Sequence, residues 1–483
     1  MHTPDPRRTI AHGDPGPAPS AASPAPPGAV ADQAHPEAAS PARAASTSGD
    51  AASTDKAPAP QETPARQASP AAGDADHPRL VWSEGEVAYE ARWRSESGAP
   101  VPRRVAVGDD RLTADAAYKL VCEGTAVLWR GDYHNARQLL QALARRVDRK
   151  RPPRKRRGRA APAAGDAQAT GAAPDDTPAR AFHLHRKAQA QRARLLGMLL
   201  VPLEPGDDVD AGPRVPLRRA PEVGAACREA WGEDGAGEPA VISLRELLGL
   251  VGAHEWRRKG VPIPALGGER VHAYYGVFSP VRGEYVDLVA QAPLPPGADG
   301  LAFDIGTGTG VLAALLARRG VRRVVATDQD PRALACAREN AARLAVAERV
   351  EVVAADLFPP GRAPLVVCNP PWVPAKPASP VEYAVYDPDS RMLRGFLDGL
   401  AAHLAPGGEG WLILSDLAEH LGLRSRDELR RLVAAAGLRV VDRLDTRPRH
   451  RRATDPTDPL HTARAAETTS LWRLAAISEA EPV

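Results

Sequence analysis

The sequence predicts an α/β fold: a doubly wound, mostly parallel seven-stranded sheet over residues 291–483, behind a mostly helical N-terminal unit. Three observations carry this. From Leu301 onward, short apolar runs alternate with segments of helical period, the pattern of a parallel sheet with helices on both faces. The first run passes into Gly306-Thr307-Gly308-Thr309-Gly310, a turn whose missing side chains let a ligand approach the backbone. Successive runs then end on Asp304, Asp328, Asp356 and Asn369, polar residues at the strand ends where such sheets bind ligands.

Residues 1–78 are almost wholly Ala, Pro, Ser, Gly, Asp and Thr, and such a segment buries too little apolar surface to offset its ordering entropy. It is expected to be a disordered tail. Val87, Tyr89, Ala91 and Trp93 alternate with polar residues as a half-buried strand. Ala117 to Leu128, with Val127 included, and Ala136 to Val147 keep helical spacing, with Gly131-Asp132 as the turn. The pair has the outline of a helix-turn-helix, but its second helix starts with too few base-reading side chains, which favours simple packing. The basic run Arg149–Arg159 opens a low-complexity linker to residue 179. A helix over Ala181–Leu200 follows, and Leu244, Leu247, Leu248 and Val251 mark another, capped by Ser243. His183 and His185 fall on different helix faces and make no metal pair. Residues 79–148 and 180–290 thus read as one mostly helical domain.

The seven strands of the C-terminal domain are expected at Leu301–Phe303, Val324–Ala326, Val350–Val353, Leu365–Cys368, Trp411–Leu414, Leu438–Val441 and Leu471–Ile477. Helices are expected over Val311–Arg319, from Pro331, over Arg391–Leu404 and over Asp427–Ala436.

Composition narrows the function. The net charge of +3 gives no global case for nucleic acid, so only local basic clusters bear on it. Four cysteines, Cys122, Cys227, Cys336 and Cys368, lie far apart without CxxC spacing, which points away from a disulfide framework or a zinc site. No apolar run reaches membrane-spanning length and the first thirty residues hold no apolar signal segment, so a cytoplasmic protein without metal is expected.

The glycine turn is G-x-G-x-G, not the G-x-G-x-x-G of dinucleotide sites, and Asp304 precedes it by two residues. A carboxylate there repels a pyrophosphate and welcomes a cation, so an amino-acid-bearing sulfonium cofactor fits better than a dinucleotide. Asp328 is placed for ribose hydroxyls and Asp356 for an adenine amino group. Asn369-Pro370-Pro371-Trp372 suits one task. Asn369 Oδ1 and the Pro370 carbonyl accept the hydrogens of a planar NH2 group, and Trp372 supplies a flat apolar wall.

Asp304–Gly310 together with Asn369–Trp372 resembles the class I S-adenosylmethionine-dependent methyltransferases, whose sheet is Rossmann-like. More narrowly, the chain is similar to the small-domain group that includes the release-factor glutamine methyltransferases and several RNA and DNA N-methylating enzymes. Gly276–Glu284 is similar to the segment ahead of their glycine loop, with Gly283 where they often have proline. Asp387-Pro388 and Asp398-Gly399-Leu400 match their acidic-Pro and Asp-Gly-Leu run, whereas Trp372 stands where the glutamine enzymes usually carry Tyr. The resemblance implies S-adenosylmethionine held by Phe278, Pro280, Asp304, Gly306, Thr307, Gly308, Gly310, Asp328, Gln329, Asp356, Leu357 and Asn369. It implies catalysis by positioning at Asn369, Pro370, Pro371 and Trp372 without a strong general base.

Three readings of the partner stay open. The leading one is N-methylation of a protein glutamine, of the release-factor or ribosomal-protein type. The second is the exocyclic amine of a base in rRNA, tRNA or DNA, with Arg149–Arg159 and Arg447–Arg452 touching phosphate. The third is a degenerate fold that only binds a partner.

Overall fold

A computed structural model describes residues 77–149, 177–208, 211–232, 237–377, 380–449 and 454–477. The expected disordered tail and nearly all of the basic linker lie outside the described residues.

The N-terminal unit runs β1 (Arg79–Glu84), β2 (Val87–Arg94), β3 (Val105–Gly108), α1 (Ala114–Cys122), β4 (Ala126–Trp129), α2 (Tyr133–Asp148), α3 (Pro178–Leu196), β5 (Leu199–Leu203), α4 (Gly224–Trp231), β6 (Ala240–Ser243) and α5 (Leu244–Lys259). Helices supply most of its ordered residues, but its frame is a six-stranded mixed sheet in the order β1-β2-β6-β5-β4-β3. The mostly helical expectation is corrected to that extent, since it recognised only β2. Val127 and Leu128, expected in a helix, form β4. Gly124 at φ +79° stops α1, and the four-residue run Ala126–Trp129 is buried throughout, as a central strand requires. In the same way Gly197 caps α3, and Leu199–Leu203, expected to extend that helix as far as Leu200, is a fully buried strand. Alternate side chains serve two cores: Val127, Leu199, Val201 and Ile242 pack against the helices, while Leu128, Leu200 and Val241 pack with Trp82 and Trp93. Ser243 holds the N-cap position of α5, but its hydroxyl makes no capping bond.

A short hairpin, β7 (Val261–Pro262) and β8 (Arg270–Val271), leads to α6 (Glu284–Gln291) and the C-terminal domain. There follow β9 (Leu301–Ile305), α7 (Val311–Arg318), β10 (Arg323–Asp328), α8 (Pro331–Arg343), β11 (Val350–Ala354), β12 (Ala363–Cys368), α9 (Arg391–His403), β13 (Leu404–Ser415), α10 (Leu417–His420), α11 (Arg426–Ala435), β14 (Leu438–Thr446), α12 (His461–Ala466) and β15 (Thr469–Ala476). The seven strands stand in the order β11-β10-β9-β12-β13-β15-β14, and β15 alone runs antiparallel to its neighbours. β13 begins earlier than the expected Trp411. It pairs with β12 from Leu404, and the Pro406-Gly407-Gly408 stretch is taken up where the register shifts, as residues without a ladder donor or a side chain allow.

Period-two alternation again divides the core. Ala302, Val324, Leu365, Val367 and Trp411 face α6 and α7, while Phe303, Ile305, Val366, Cys368 and Leu412 face α9 and α11. A sheet buried on both faces explains why these strands read as unbroken apolar runs. The chain leaves β9 towards β10 and β11, then returns to β12 on the other side of β9. The crevice of the sheet therefore opens between the ends of β9 and β12.

Candidate active site

The register fixes what meets in that crevice. Val367 lies beside Asp304 and Cys368 beside Ile305, so Gly306 and Asn369 leave the sheet side by side, about one strand spacing of 4.8 Å apart. Glycine turn and acceptor tetrapeptide are thereby neighbours, although 58 residues of chain run between Gly310 and Asn369.

Asp304 is 1% exposed. Its Oδ2 accepts the Thr307 hydroxyl at 2.6 Å and the Ala313 amide at 3.1 Å, which ties the turn to the first helical residues behind it. Burial pushes its carboxyl up to about 6, with the Thr307 and Ala313 bonds opposing that rise. Asp328 ends β10 and accepts the Gly308 amide through Oδ2 and the Asp330 amide through Oδ1, each at 3.0 Å. Its carboxyl is also raised, mainly by burial. Gln329 donates to Asp356 Oδ1 at 2.6 Å, which joins the ends of β10 and β11. Leu357, next in the chain, holds φ +70°, a conformation rare for a branched side chain, and its carbonyl accepts the Thr327 hydroxyl at 2.5 Å.

The turn glycines serve different ends. A Cβ on Gly306 would come within 2.4 Å of the Met392 methyl, so that position is filled by the start of α9. A Cβ on Gly308 would meet nothing within 4 Å, and its φ of +54° turns open backbone to the crevice. Gly310 is the N-cap of α7. Phe278 packs into the core beside α6, 6.4 Å from the Tyr285 ring. Tyr285 in turn lies close enough to Asp304 for that charge to help raise its hydroxyl, behind the larger effect of burial. Pro280 is buried in the same segment.

At the end of β12 the Trp372 indole N–H donates to Asn369 Oδ1 at 2.9 Å. That bond fixes which way the amide points and leaves Oδ1 one lone pair. The Pro370 carbonyl receives no backbone hydrogen bond among the described residues, and Pro371 is half-buried beside it. Trp372 is itself half-buried where three apolar clusters meet, so it is a packed wall and not a loose lid.

Asp387, part of the Asp387-Pro388 pair that the sequence already marked, accepts the Met392 and Leu393 amides and so sets the start of α9. Other contributors had no local sequence signal. Met392 fills the space over Gly306. From the N-terminal unit, α3 reaches the loop that follows Trp372. Phe182 joins Val373, Leu417, Leu421 and Leu460 in one cluster, and Arg186 donates to the Lys376 carbonyl, pairs with Glu382 at 3.2 Å and lies 4.0 Å over the Tyr386 ring. A cleft of about 550 Å³ lined by Glu229, His254, Arg257, Arg258, His272 and Arg343 contains none of the predicted site residues.

Of the expected basic loop, Arg447 and Arg449 are described and residues 450–452 are not. Arg449 faces Asp287 of α6 at 3.8 Å, whereas Asp458 pairs with Arg464. Among the described residues no group of His, Cys, Asp and Glu could hold a metal ion, and no helix is long and apolar enough to cross a membrane.

Sheet order, glycine turn and acceptor motif together match the arrangement of a class I methyltransferase domain. Residues 269–433 match the family model described as the methyltransferase small domain. The release factor glutamine methyltransferase of Cereibacter sphaeroides is 36% identical over 185 residues, which cover 35% of this chain and 63% of that one. The ribosomal protein L11 methyltransferase of Pelotomaculum thermopropionicum is 37% identical over 150 residues, covering 28% and 43%. A solved ribosomal protein L11 methylase from Lactobacillus delbrueckii subsp. bulgaricus covers 44% of this chain and 87% of its own, at 18% identity and a TM-score of 0.30. The chain thus spans less than two thirds of the length of either curated relative.

The site fits S-adenosylmethionine on its own terms. A buried carboxylate stands behind the turn, strand-end carboxylates line the next two strands, and the backbone at Gly308 is open to a ligand.

Proposed function

We propose that this chain is an S-adenosylmethionine-dependent N-methyltransferase whose acceptor is the side-chain amide of a protein glutamine. The observation that carries the reading is the adjacency of Gly306 and Asn369, set by the pairing of Cys368 with Ile305. Asp304, Asp328 and Asp356 would hold the cofactor, which when bound supplies an electrophilic methyl group on a sulfonium cation.

The protein's part is positioning. Asn369 Oδ1, aimed by the Trp372 N–H, accepts one hydrogen of the substrate NH2, and the Pro370 carbonyl accepts the other. Both bonds favour a pyramidal nitrogen, which frees its lone pair from conjugation with the amide carbonyl. The Trp372 ring, held by three apolar clusters, limits how the planar group can tilt. No side chain has to remove a proton before attack, in keeping with the lack of a histidine among these groups.

Protein is favoured over nucleic acid because the two curated relatives are named for a release factor and a ribosomal protein, and because Gly276–Glu284 and Asp387-Pro388 match the glutamine group. The test is labelling of a cell extract with methyl-tritiated cofactor and the purified chain, followed in parallel by RNase and by protease. Label that survives RNase and is lost to protease is the expected result. Label lost to RNase overturns the choice of acceptor.

A further inference from the structure

The helix that ties the N-terminal unit to the acceptor loop has a second face that the proposed chemistry does not use. α3 carries Arg180, Arg186, Lys187, Arg192 and Arg194 and no Asp or Glu. Its inner side is occupied. Phe182, Leu195 and Leu196 are buried, Arg186 holds the acceptor loop, and Arg192 pairs with Asp148 at 2.7 Å. Its outer side presents Arg180, His183, Lys187, Gln191 and Arg194, all exposed and three or four residues apart, which aligns them on one helix face. Lys187 and Arg194 have no acidic partner among the described residues. At 1.5 Å per residue the stripe is about 21 Å long.

We propose that this stripe docks the phosphodiester backbone of a nucleic acid alongside the acceptor pocket. Cations spaced along one face, with no carboxylate on the helix to repel phosphate, gain affinity by releasing condensed counterions. A protein partner would need an aromatic or apolar centre to its interface, and the one large apolar side chain exposed here is Leu184. Base stacking would need rings, and the outer face offers only His183. The contact is therefore with backbone. Its place follows from Phe182, which shares a buried cluster with Val373, one residue beyond Trp372, so the N-terminal half of α3 lies beside the acceptor loop. A strand lying on α3 would then be held near the acceptor site, as a protein substrate carried in a ribonucleoprotein would require. That link to catalysis rests on the methyl-transfer reading, whereas the docking itself does not.

The test uses the full chain and fluorescein-labelled probes of about 20 nucleotides: single-stranded RNA, duplex RNA and duplex DNA. Anisotropy is followed from about 50 to about 200 mM salt, over which the two phosphate contacts of Lys187 and Arg194 account for a share of roughly 7- to 12-fold in the loss of affinity. Lys187→Glu with Arg194→Glu is expected to weaken binding at least about tenfold at the low-salt end and to remove that share of the salt dependence. The basic run Arg149–Arg159 is the same in both chains, so their difference isolates α3. Unchanged calorimetric affinity for S-adenosylmethionine shows the double variant folded. The probe bound tightest identifies the nucleic acid. Equal affinity and salt slope in parent and variant overturn the proposal, as does tighter binding of poly-L-glutamate than of any nucleic acid, which would mark an acidic protein partner. Absence of methyl transfer by the parent chain, with the parent–variant contrast in binding intact, would count against the enzymatic reading and not against the docking surface.

Discussion

Replacing Trp372 with phenylalanine separates two roles that one side chain combines. The ring and most of its packing stay, while the N–H that donates to Asn369 Oδ1 at 2.9 Å is lost. A neutral, half-buried hydrogen bond contributes about 0.5–1.5 kcal/mol net. If that bond aims the amide at the substrate, the same energy appears in the barrier, and kcat falls about 2- to 13-fold. The Michaelis constant for S-adenosylmethionine and its calorimetric affinity stay level, because the glycine turn and Asp304 are untouched. Trp372→Ala also removes the ring from the junction of three apolar clusters, so it lowers thermal stability as well, by part of the roughly 3–5 kcal/mol typical of a fully buried tryptophan. Steady-state kinetics with both substrates varied gives the split. Full kcat in Trp372→Phe would show that the bond does not position Asn369. A parallel fall in cofactor affinity would show that Trp372 acts on the wrong half of the site.

Asn369→Ala should cut turnover at least about a hundredfold, the scale of losing one preorganised group at a reacting centre, with cofactor binding nearly intact by calorimetry. Asp304→Asn should do the reverse and weaken cofactor binding. Since Asp304 ionises at about 6, a cationic ligand binds its charged form. Affinity should therefore be flat well above that pH and fall up to about tenfold per unit below it, a dependence that disappears in Asp304→Asn. Arg186→Ala frees the acceptor loop from α3, so acceptor KM should rise several-fold while cofactor affinity holds; equal values in both chains would remove α3 from the site.

The C-terminal domain was legible because its central strands β9, β12 and β13 are buried on both faces and α7 and α8 follow their strands within a few residues, so period and length agreed there. Its strand ends carried chemistry in plain view: Asp304, Asp328, Asp356 and Asn369 are polar residues where packing alone would place apolar ones. The N-terminal sheet was harder to see. Ala126–Trp129 and Leu199–Leu203 are short apolar runs beside helices, and a run of that length cannot be told from the end of a helix by periodicity. Gly124 and Gly197 were the available signals. The contributions of Phe182, Arg186 and Met392 were not legible at all. They depend on α3 and α9 meeting residues distant in sequence, and nothing local marks an arginine as the one that will lie over Tyr386.

The central claim is that Asn369 and Pro370 present a planar amide nitrogen to a methyl donor held at Asp304. Its most direct test is the chemical identity of the product. Protein labelled with methyl-tritiated S-adenosylmethionine is hydrolysed in acid, which releases an N-methylated glutamine amide as volatile methylamine. Recovery of the label as methylamine, absent with Asn369→Ala, is the predicted result. Label retained on a non-volatile amino acid or on a nucleic-acid base would contradict it.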